Sequence, residues 1–321
     1  MNDQIPIIGI LSIGEMGLGI ANLLISHGYR AATFAEDRSG RTRERAQSIN
    51  IQLCPSLKDF VSLCSVILSI VPPKESFLTA QRVHENTPRS PSRNKPLYYL
   101  DLNATAPSLS RDTNRLLSSN PNIVYIDGGI IGGPPRQIST STSIEGEYKW
   151  ALPSLVTSGP SLPSTRTYTH IIKTLNIEHI SPSIGAASGL KMCFASMTKG
   201  VFALAIQSFV TAESMGVFPE LKRYMGKHNS ETLEIVSRGV IGMPPKAWRW
   251  INEMQQIGAM MEEEGEFSGN LFREIGEVYR VVAEDTELGL EQTGRRGRGT
   301  TVEDVITVMR EGMEKKKEKV E

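Results

Sequence analysis

The chain has 321 residues, room for two domains of ordinary size, and its 39% hydrophobic and 22% charged content is that of a folded globular protein with a sizeable core. Lysine plus arginine equals aspartate plus glutamate, 35 of each, so no excess charge points to a nucleic acid or a membrane surface. No apolar run reaches the length that spans a bilayer, and the first residues lead into a strand, not a signal peptide.

In chain order, Ile7 to Leu11 is an apolar run that reads as a buried parallel strand. The turn Ser12-Ile13-Gly14-Glu15-Met16-Gly17 follows, and then a helical pattern from Ala21 to His27 that Gly28 ends. This order suits a dinucleotide. Gly14 lets the backbone approach a pyrophosphate, Gly17 lets the helix pack on the strand, and the helix N-terminus offers N–H groups and a positive dipole end. Ser12 stands where the usual pattern has its first glycine, and its hydroxyl is a donor for a phosphate oxygen. The competing reading is an ordinary strand-to-helix turn without a ligand.

Tyr29 to Phe34 reads as the second strand. Just beyond it, two cofactor readings compete. Glu36 lies where a carboxylate would accept from a ribose 2′-hydroxyl, which means NAD. Arg38, Arg41 and Arg43, with Ser39 between them, suit a 2′-phosphate, which means NADP. NADP is favoured and NAD stays open. Further along, Arg41 to Ile49 and Leu57 to Leu63 read as helices. Leu53, Val66 to Val71, Leu97 to Leu102 and Ile123 to Asp127 read as strands. Strands alternating with helical patterns predict an α/β, doubly wound parallel sheet of the Rossmann type. Pro88 to Pro96 and Gln137 to Ser164, rich in proline and serine, read as surface insertions that do not order by themselves.

From about residue 184 the pattern turns wholly helical. One stretch runs from Gly185 to Gly216, and others cover Phe218 to His228, Ser230 to Arg238, Lys246 to Glu264, Asn270 to Asp285 and Thr301 to Lys317. The expected division is a dinucleotide-binding domain at 1–183 and an all-α domain for substrate and dimerisation at 184–321. A helix of about 30 residues is ~45 Å long, more than a small domain covers, so a second subunit is expected along it. Cys54, Cys64 and Cys193 have no metal spacing and are expected as reduced, buried thiols in a cytoplasmic protein. The five histidines show no ligand spacing, so no metal is expected. Trp248, Trp250 and Met254 read as core or interface; Arg249 and Glu253 are within reach of an active site on one reading, and helix-surface charges on the favoured one.

Five segments in order resemble the 6-phosphogluconate dehydrogenase and 3-hydroxyisobutyrate dehydrogenase superfamily of β-hydroxyacid dehydrogenases. Ile10-Leu-Ser-Ile-Gly-Glu-Met-Gly17 is similar to its cofactor fingerprint, and Ser69-Ile-Val-Pro-Pro73 to the strand end beside the nicotinamide. Asp101-Leu-Asn-Ala-Thr-Ala-Pro107 and Asp127-Gly-Gly-Ile-Ile-Gly-Gly133 are similar to its Asp-x-Asn segment and its glycine-rich substrate loop. Gly185-Ala-Ala-Ser-Gly-Leu-Lys191 resembles the segment with the catalytic lysine. Together with Trp248 to Met254, these motifs look like a branch of mostly unassigned substrate with a phosphogluconate-dehydrogenase-like C-terminal domain.

The resemblance implies hydride transfer between NADP(H) and a small hydroxy or oxo compound, with Lys191 as general acid/base. It also implies cofactor contacts at Ser12 to Gly17, Arg38, Ser39, Val71, Pro72 and Asn103. Substrate contacts fall on Asn103, Gly128, Gly129, Gly132 and Ser188. A lysine ammonium losing hydration beside an apolar nicotinamide pocket would have its pKa lowered toward the working pH. Against this stands the commoner fate of a lysine, at the surface of a long helix. Two departures matter. Ala195 replaces the family's asparagine one turn after the lysine, and Thr198 replaces the phosphogluconate dehydrogenases' glutamate two turns on. These argue against 6-phosphogluconate as substrate. They leave open an imine or other carbonyl reductase, or a non-catalytic NADP-binding protein.

Overall fold

The computed structural model describes residues 6–34, 40–89, 95–138 and 149–318. Two compact units are present, 1–191 and 192–321.

The first unit alternates strands and helices. Its elements are β1 (Ile8–Leu11), α1 (Glu15–Ser26), β2 (Ala31–Phe34), α2 (Gly40–Gln47), β3 (Gln52–Cys54), α3 (Leu57–Leu63), β4 (Val66–Ser69), α4 (Ser76–Asn86), β5 (Leu97–Asp101), α5 (Pro107–Leu117) and β6 (Ile123–Ile131). Then come β7 (Arg136–Ile138), β8 (Lys149–Ala151), β9 (Ser154–Ser158), α6 (Arg166–Thr174), β10 (Ile177–Ser181) and the start of α7 (Ala186–Ser214). Eight strands form one sheet in the order β10-β9-β6-β5-β4-β1-β2-β3. Strand side chains alternate between two cores, because successive residues point to opposite faces. Val66, Leu68, Leu100 and Ile126 face one apolar cluster with Ile20 and Leu24 of α1 and Ile171 of α6. Ile67, Tyr99 and Tyr125 face another with Phe60 of α3, Val83 of α4 and Leu117 of α5. A sheet covered on both faces tolerates the near-continuous apolar runs read as parallel strands.

The strand order reverses between β1 and β4, which pair in parallel from Ile8↔Val66 to Leu11↔Ser69. In doubly wound sheets the ligand crevice opens at the carboxyl ends of such a strand pair. Ser12 and Ile70, the residues just past those ends, are joined by a hydrogen bond from the Ser12 N–H to the Ile70 carbonyl at 3.1 Å.

Two sequence expectations require correction within a sheet that is, as expected, doubly wound and predominantly parallel. Among the described residues its one antiparallel pairing is β6 with β9, from Asp127↔Ser158 to Ile131↔Ser154. The glycine-rich stretch after Asp127 is therefore strand up to Ile131, not loop: β9 supplies a ladder for Gly128 and Gly129 that local propensity gives no sign of. The described part of the stretch Gln137 to Ser164 includes β8, which pairs with β7 in a separate two-stranded sheet, and the largely buried β9, ordered by that same pairing with β6; residues 139–148 lie outside the described residues. The helices α4, α5 and α6 and the strand β10 add to the elements expected from the sequence; α5 carries proline in its first turn, where the missing N–H costs nothing.

The second unit continues α7 and adds α8 (Phe218–His228), α9 (Ser230–Gly242), α10 (Ala247–Glu263), α11 (Asn270–Glu284) and α12 (Val302–Glu318). Its core centres on Trp250, whose ring meets Tyr279 edge-on at 5.1 Å and carries the Lys199 ammonium 5.0 Å above its face. Glu253 is not a surface charge: it is buried and ion-paired with Lys199. The chain places it one turn beyond Trp250 on the inward face of α10, which composition alone does not reveal. Helix α7 also departs from expectation. By length and composition it is long and apolar enough to cross a membrane, with mean hydropathy 1.4 over its most apolar stretch, 44% of which is buried in the fold. Its scattered serine, threonine and glycine break the apolar run without making the helix polar. Cys54 and Cys64 are buried free thiols, whereas Cys193, also free, is exposed on α7.

Candidate dinucleotide and active site

Gly14 precedes the first helical residue of α1, and a Cβ built there would meet nothing within 4 Å. Space therefore opens in front of the first-turn N–H groups of α1, which have no partner inside the helix. Gly17 has the opposite surroundings: a Cβ there would lie 1.9 Å from the Ser12 carbonyl oxygen. The turn closes directly onto the helix only because Gly17 has no side chain. One glycine leaves room and the other removes an obstacle, which is the pairing a pyrophosphate-binding turn requires. Ile13 is buried, Ser12 and Met16 are half-buried, and Glu15 is exposed. These residues fit a dinucleotide phosphate at the α1 N-terminus. Arg38 and Ser39, which carry the choice of NADP over NAD, lie outside the described residues, as does Glu36.

Beside this turn, Asn103 is buried at the centre of a polar network. Its Oδ1 accepts from the Val71 N–H at 2.7 Å, and its Nδ2 donates to Ser69 Oγ at 3.0 Å and Ser76 Oγ at 3.2 Å. Asp101 anchors the network, accepting from the Asn103 N–H at 3.2 Å and from Ser76 Oγ at 3.1 Å. Burial pushes the Asp101 carboxyl up to about 6; the charge of Asp127 adds to the rise, while the Asn103 and Ser76 donors oppose it. Asn103 thus holds the loop bearing Val71 and Pro72 to the end of β5. Its amide and carbonyl are engaged within the protein.

The glycine segment lies at the edge of the same strand ends. Gly128 is packed, with Leu102 Cδ2 only 2.7 Å from where its Cβ would be. Gly129 faces α7, and Gly132, at φ +113°, turns the chain out of β6. Lys191 is half-buried on α7 against β6, its Cβ 2.7 Å from the place a Gly129 Cβ would take. Ser188, one turn earlier, is 1% exposed and its hydroxyl donates to Asp127. The structure thus brings Lys191, Gly129 and Ser188 together, with Gly128 beside them in β6, while Asn103 lies in the loop just past the end of β5. Asp127, Ser158 and Ser110 hold this arrangement, although local sequence assigns them no role. An aspartate inside an otherwise apolar strand was the available signal for the first of them.

Residues 7–144 match the family model described as the NAD binding domain of 6-phosphogluconate dehydrogenase, and residues 212–282 match a domain of unknown function, DUF1932. An uncharacterized 28.5 kDa protein of Methanothermus fervidus is 22% identical over 215 residues, 66% of this chain and 74% of its own. Among solved structures, the 3-hydroxyisobutyrate dehydrogenase of Mycobacterium tuberculosis superposes with a TM-score of 0.63 at 14% identity, covering 96% of this chain and 99% of its own. An imine reductase of Myxococcus stipitatus, in complex with NADP+, gives 0.51 at 16% identity, covering 94% and 99%. At these identities the likeness is one of fold: a Rossmann-type sheet with an all-α region after it.

Proposed function

We propose, from the match of residues 7–144 to the NAD binding domain of 6-phosphogluconate dehydrogenase and the fold shared with a 3-hydroxyisobutyrate dehydrogenase, that the chain is an NADP-dependent dehydrogenase or reductase of a small hydroxy or oxo compound. The observation that carries the reading is Lys191, half-buried on α7 and in contact range of Gly129, on the same unit as the open Gly14 turn. The turn from Ser12 to Gly17 and the α1 N-terminus would hold the pyrophosphate, with Arg38 and Ser39 at the 2′-phosphate. Bound NADPH supplies the hydride. Lys191 Nζ donates a proton to the carbonyl oxygen as the alcohol forms, and in oxidation takes the hydroxyl proton back. Val71, Pro72 and Asn103 would shape the wall beside the nicotinamide, and Gly128, Gly129, Gly132 and Ser188 the floor beneath the substrate.

A second reading is an imine reductase or other carbonyl reductase on the same fold. It draws on Ala195, which is buried and apolar one turn after Lys191, and on Thr198, whose hydroxyl donates to the Phe194 carbonyl at 3.1 Å. Neither position offers an amide or carboxylate for an acid substrate. Fluorescence titration with NADPH and NADH, then a panel of oxo acids, aldehydes and imines, tests both readings. NADPH is expected to bind more tightly, and Arg38→Ala to weaken NADPH more than NADH, since a guanidinium grips a phosphate bidentately. Equal affinities for the two cofactors in the unaltered protein would refute the NADP assignment.

Assembly as a homodimer belongs to the same proposal. On α7, Leu190, Phe194, Met197 and Leu204 are all exposed, Met197 at 72%, and Met215, in the turn just past the helix end, is exposed at 69%. Spacings of four, three and seven residues put the first four along one side of the helix. Water-facing apolar side chains in such a row mark an interaction surface. A second copy packing along α7 is expected to bury over ~2,000 Å², as obligate homodimers do. Light scattering at micromolar concentration should give twice the 35.3 kDa chain mass. A monomer mass would overturn this part.

A further inference from the structure

We infer that Asp127 is the positioning residue for Lys191: a buried carboxylate that captures the first turn of α7 and thereby fixes where the amine stands. The inference rests on the reading of Lys191 as acid/base.

Asp127 lies within β6, with Asp101 of β5 as its register partner on one side and Ser158 of β9 on the other. It is wholly buried. Its Oδ2 accepts from the backbone N–H groups of Gly185 at 3.0 Å, Ala187 at 3.1 Å and Ser188 at 3.2 Å, and from Ser158 Oγ at 2.7 Å. Its Oδ1 accepts from Ser188 Oγ. A hydroxyl has one proton, so the 2.7 Å contact between Ser110 and Ser188 is made by Ser110 donating. One carboxylate thus ties the start of α7 to β6 and β9, and through Ser188 to α5. A helix start presents unpaired N–H groups and a positive dipole end, and bonds to an ionised acceptor are shorter and stronger than neutral ones. An exposed cap satisfies one such N–H. Asp127 takes three, from inside the sheet.

Gly129 adds the second constraint. It stands two residues on, so it faces the same side of the sheet as Asp127. A Cβ there would lie 2.7 Å from Lys191 Cβ, 3.1 Å from its Cγ and 3.4 Å from the Ala187 carbonyl. Asp127 sets the position of α7 along its axis by attraction, and Gly129 sets its distance from the sheet by having no side chain. Lys191 is one turn beyond Ser188, so a shift of the helix start carries the amine with it. Misplacement of about 1 Å is enough to cost ~10²-fold in a rate that depends on alignment.

The test uses the full chain and needs no substrate. Asp127→Ala, Asp127→Asn, Ser188→Ala and Gly129→Ala are compared by amide hydrogen exchange at Gly185, Ala187 and Ser188. The pH dependence of Lys191 acylation by acetic anhydride is followed by peptide mass spectrometry, with the exposed Lys58 as internal standard. In Asp127→Ala, exchange at the three amides should rise on the order of tenfold or more, and the Lys191 titration should move relative to Lys58. Asp127→Asn should restore part of both, because it keeps one acceptor oxygen. NADPH affinity should change less than about threefold, since the Ser12 to Gly17 turn is untouched. If Asp127→Ala does not fold, Ser188→Ala, which leaves the Oδ2 bonds in place, should still move the Lys191 titration by a smaller amount. A Lys191 titration that stays at its original value in the folded variants overturns the inference. Failure of the acid/base reading is separate: it would show as full turnover in Lys191→Met, which this labelling does not consult.

Discussion

Lys191→Met is expected to fold and bind NADPH as the unaltered chain does, while turnover on whichever substrate the panel yields falls by ~10²- to 10⁴-fold, the usual contribution of a general acid/base. Methionine keeps the length of the side chain and its packing against Gly129 while removing the proton carrier. Lys191→Arg should be nearly as damaging, because a guanidinium does not release its proton near neutral pH. The limb of the pH–rate profile owed to the lysine should vanish in both. Steady-state assays beside cofactor titrations check this. Turnover near the original level in Lys191→Met would remove the lysine from the chemistry and move the proton transfer to water or another side chain. Ala195→Asn separates a changed substrate from an impaired site. If the alanine reflects a different substrate, the asparagine should not improve the native reaction.

The second large effect is expected from the two glycines of the α1 turn, whose surroundings are opposite. Gly17→Ala forces a Cβ to within 1.9 Å of the Ser12 carbonyl, an overlap with backbone that no rotamer relieves. Overpacking of this kind costs about 1–3 kcal/mol or more, and the turn must open to accept it. Thermal unfolding should shift downward and NADPH affinity should fall together. Gly14→Ala meets nothing within 4 Å and occupies φ −75°, which alanine adopts freely. Its unfolding temperature should stay within about a degree or two, for ~0.5 kcal/mol or less. NADPH should nevertheless bind at least ~tenfold more weakly, because the added methyl stands where the pyrophosphate approaches. The contrast between the two variants is the diagnostic. A Gly14→Ala protein that binds NADPH as tightly as the original would remove the dinucleotide from this turn.

The buried pair Lys199–Glu253 shows why residue type alone misleads. Glu253 sits among charged and polar neighbours in the chain, and Arg249, Asn252 and Gln255 around it suit a solvated face. Folding turns it inward, where the Lys199 ammonium lies against it and over the Trp250 indole ring, which in turn meets Tyr279. Removing either partner of such a pair is more damaging than replacing both, since a lone buried charge has nothing to compensate its lost hydration.

What this sequence determined by itself is what neighbours along the chain decide. The strand, turn and helix from Ile8 to Ser26 follow from an apolar run, two glycines and helical spacing, all within a few turns of one another. The helix Phe218–His228 begins and ends where its periodicity does, and the helices after it fall within a few residues of their patterns. Backbone hydrogen bonds there close over four residues, so local spacing suffices. The tertiary structure decided the rest. Gly128 and Gly129 are strand because β9, some thirty residues later, pairs with them, and because Leu102 and Lys191 leave no space for a Cβ. Asp127 is a helix cap because Gly185, Ala187 and Ser188, nearly sixty residues on, bring their N–H groups to it. Such contacts cost loop closure and desolvation that only the assembled core offsets, and nothing in the sequence near either partner records that balance.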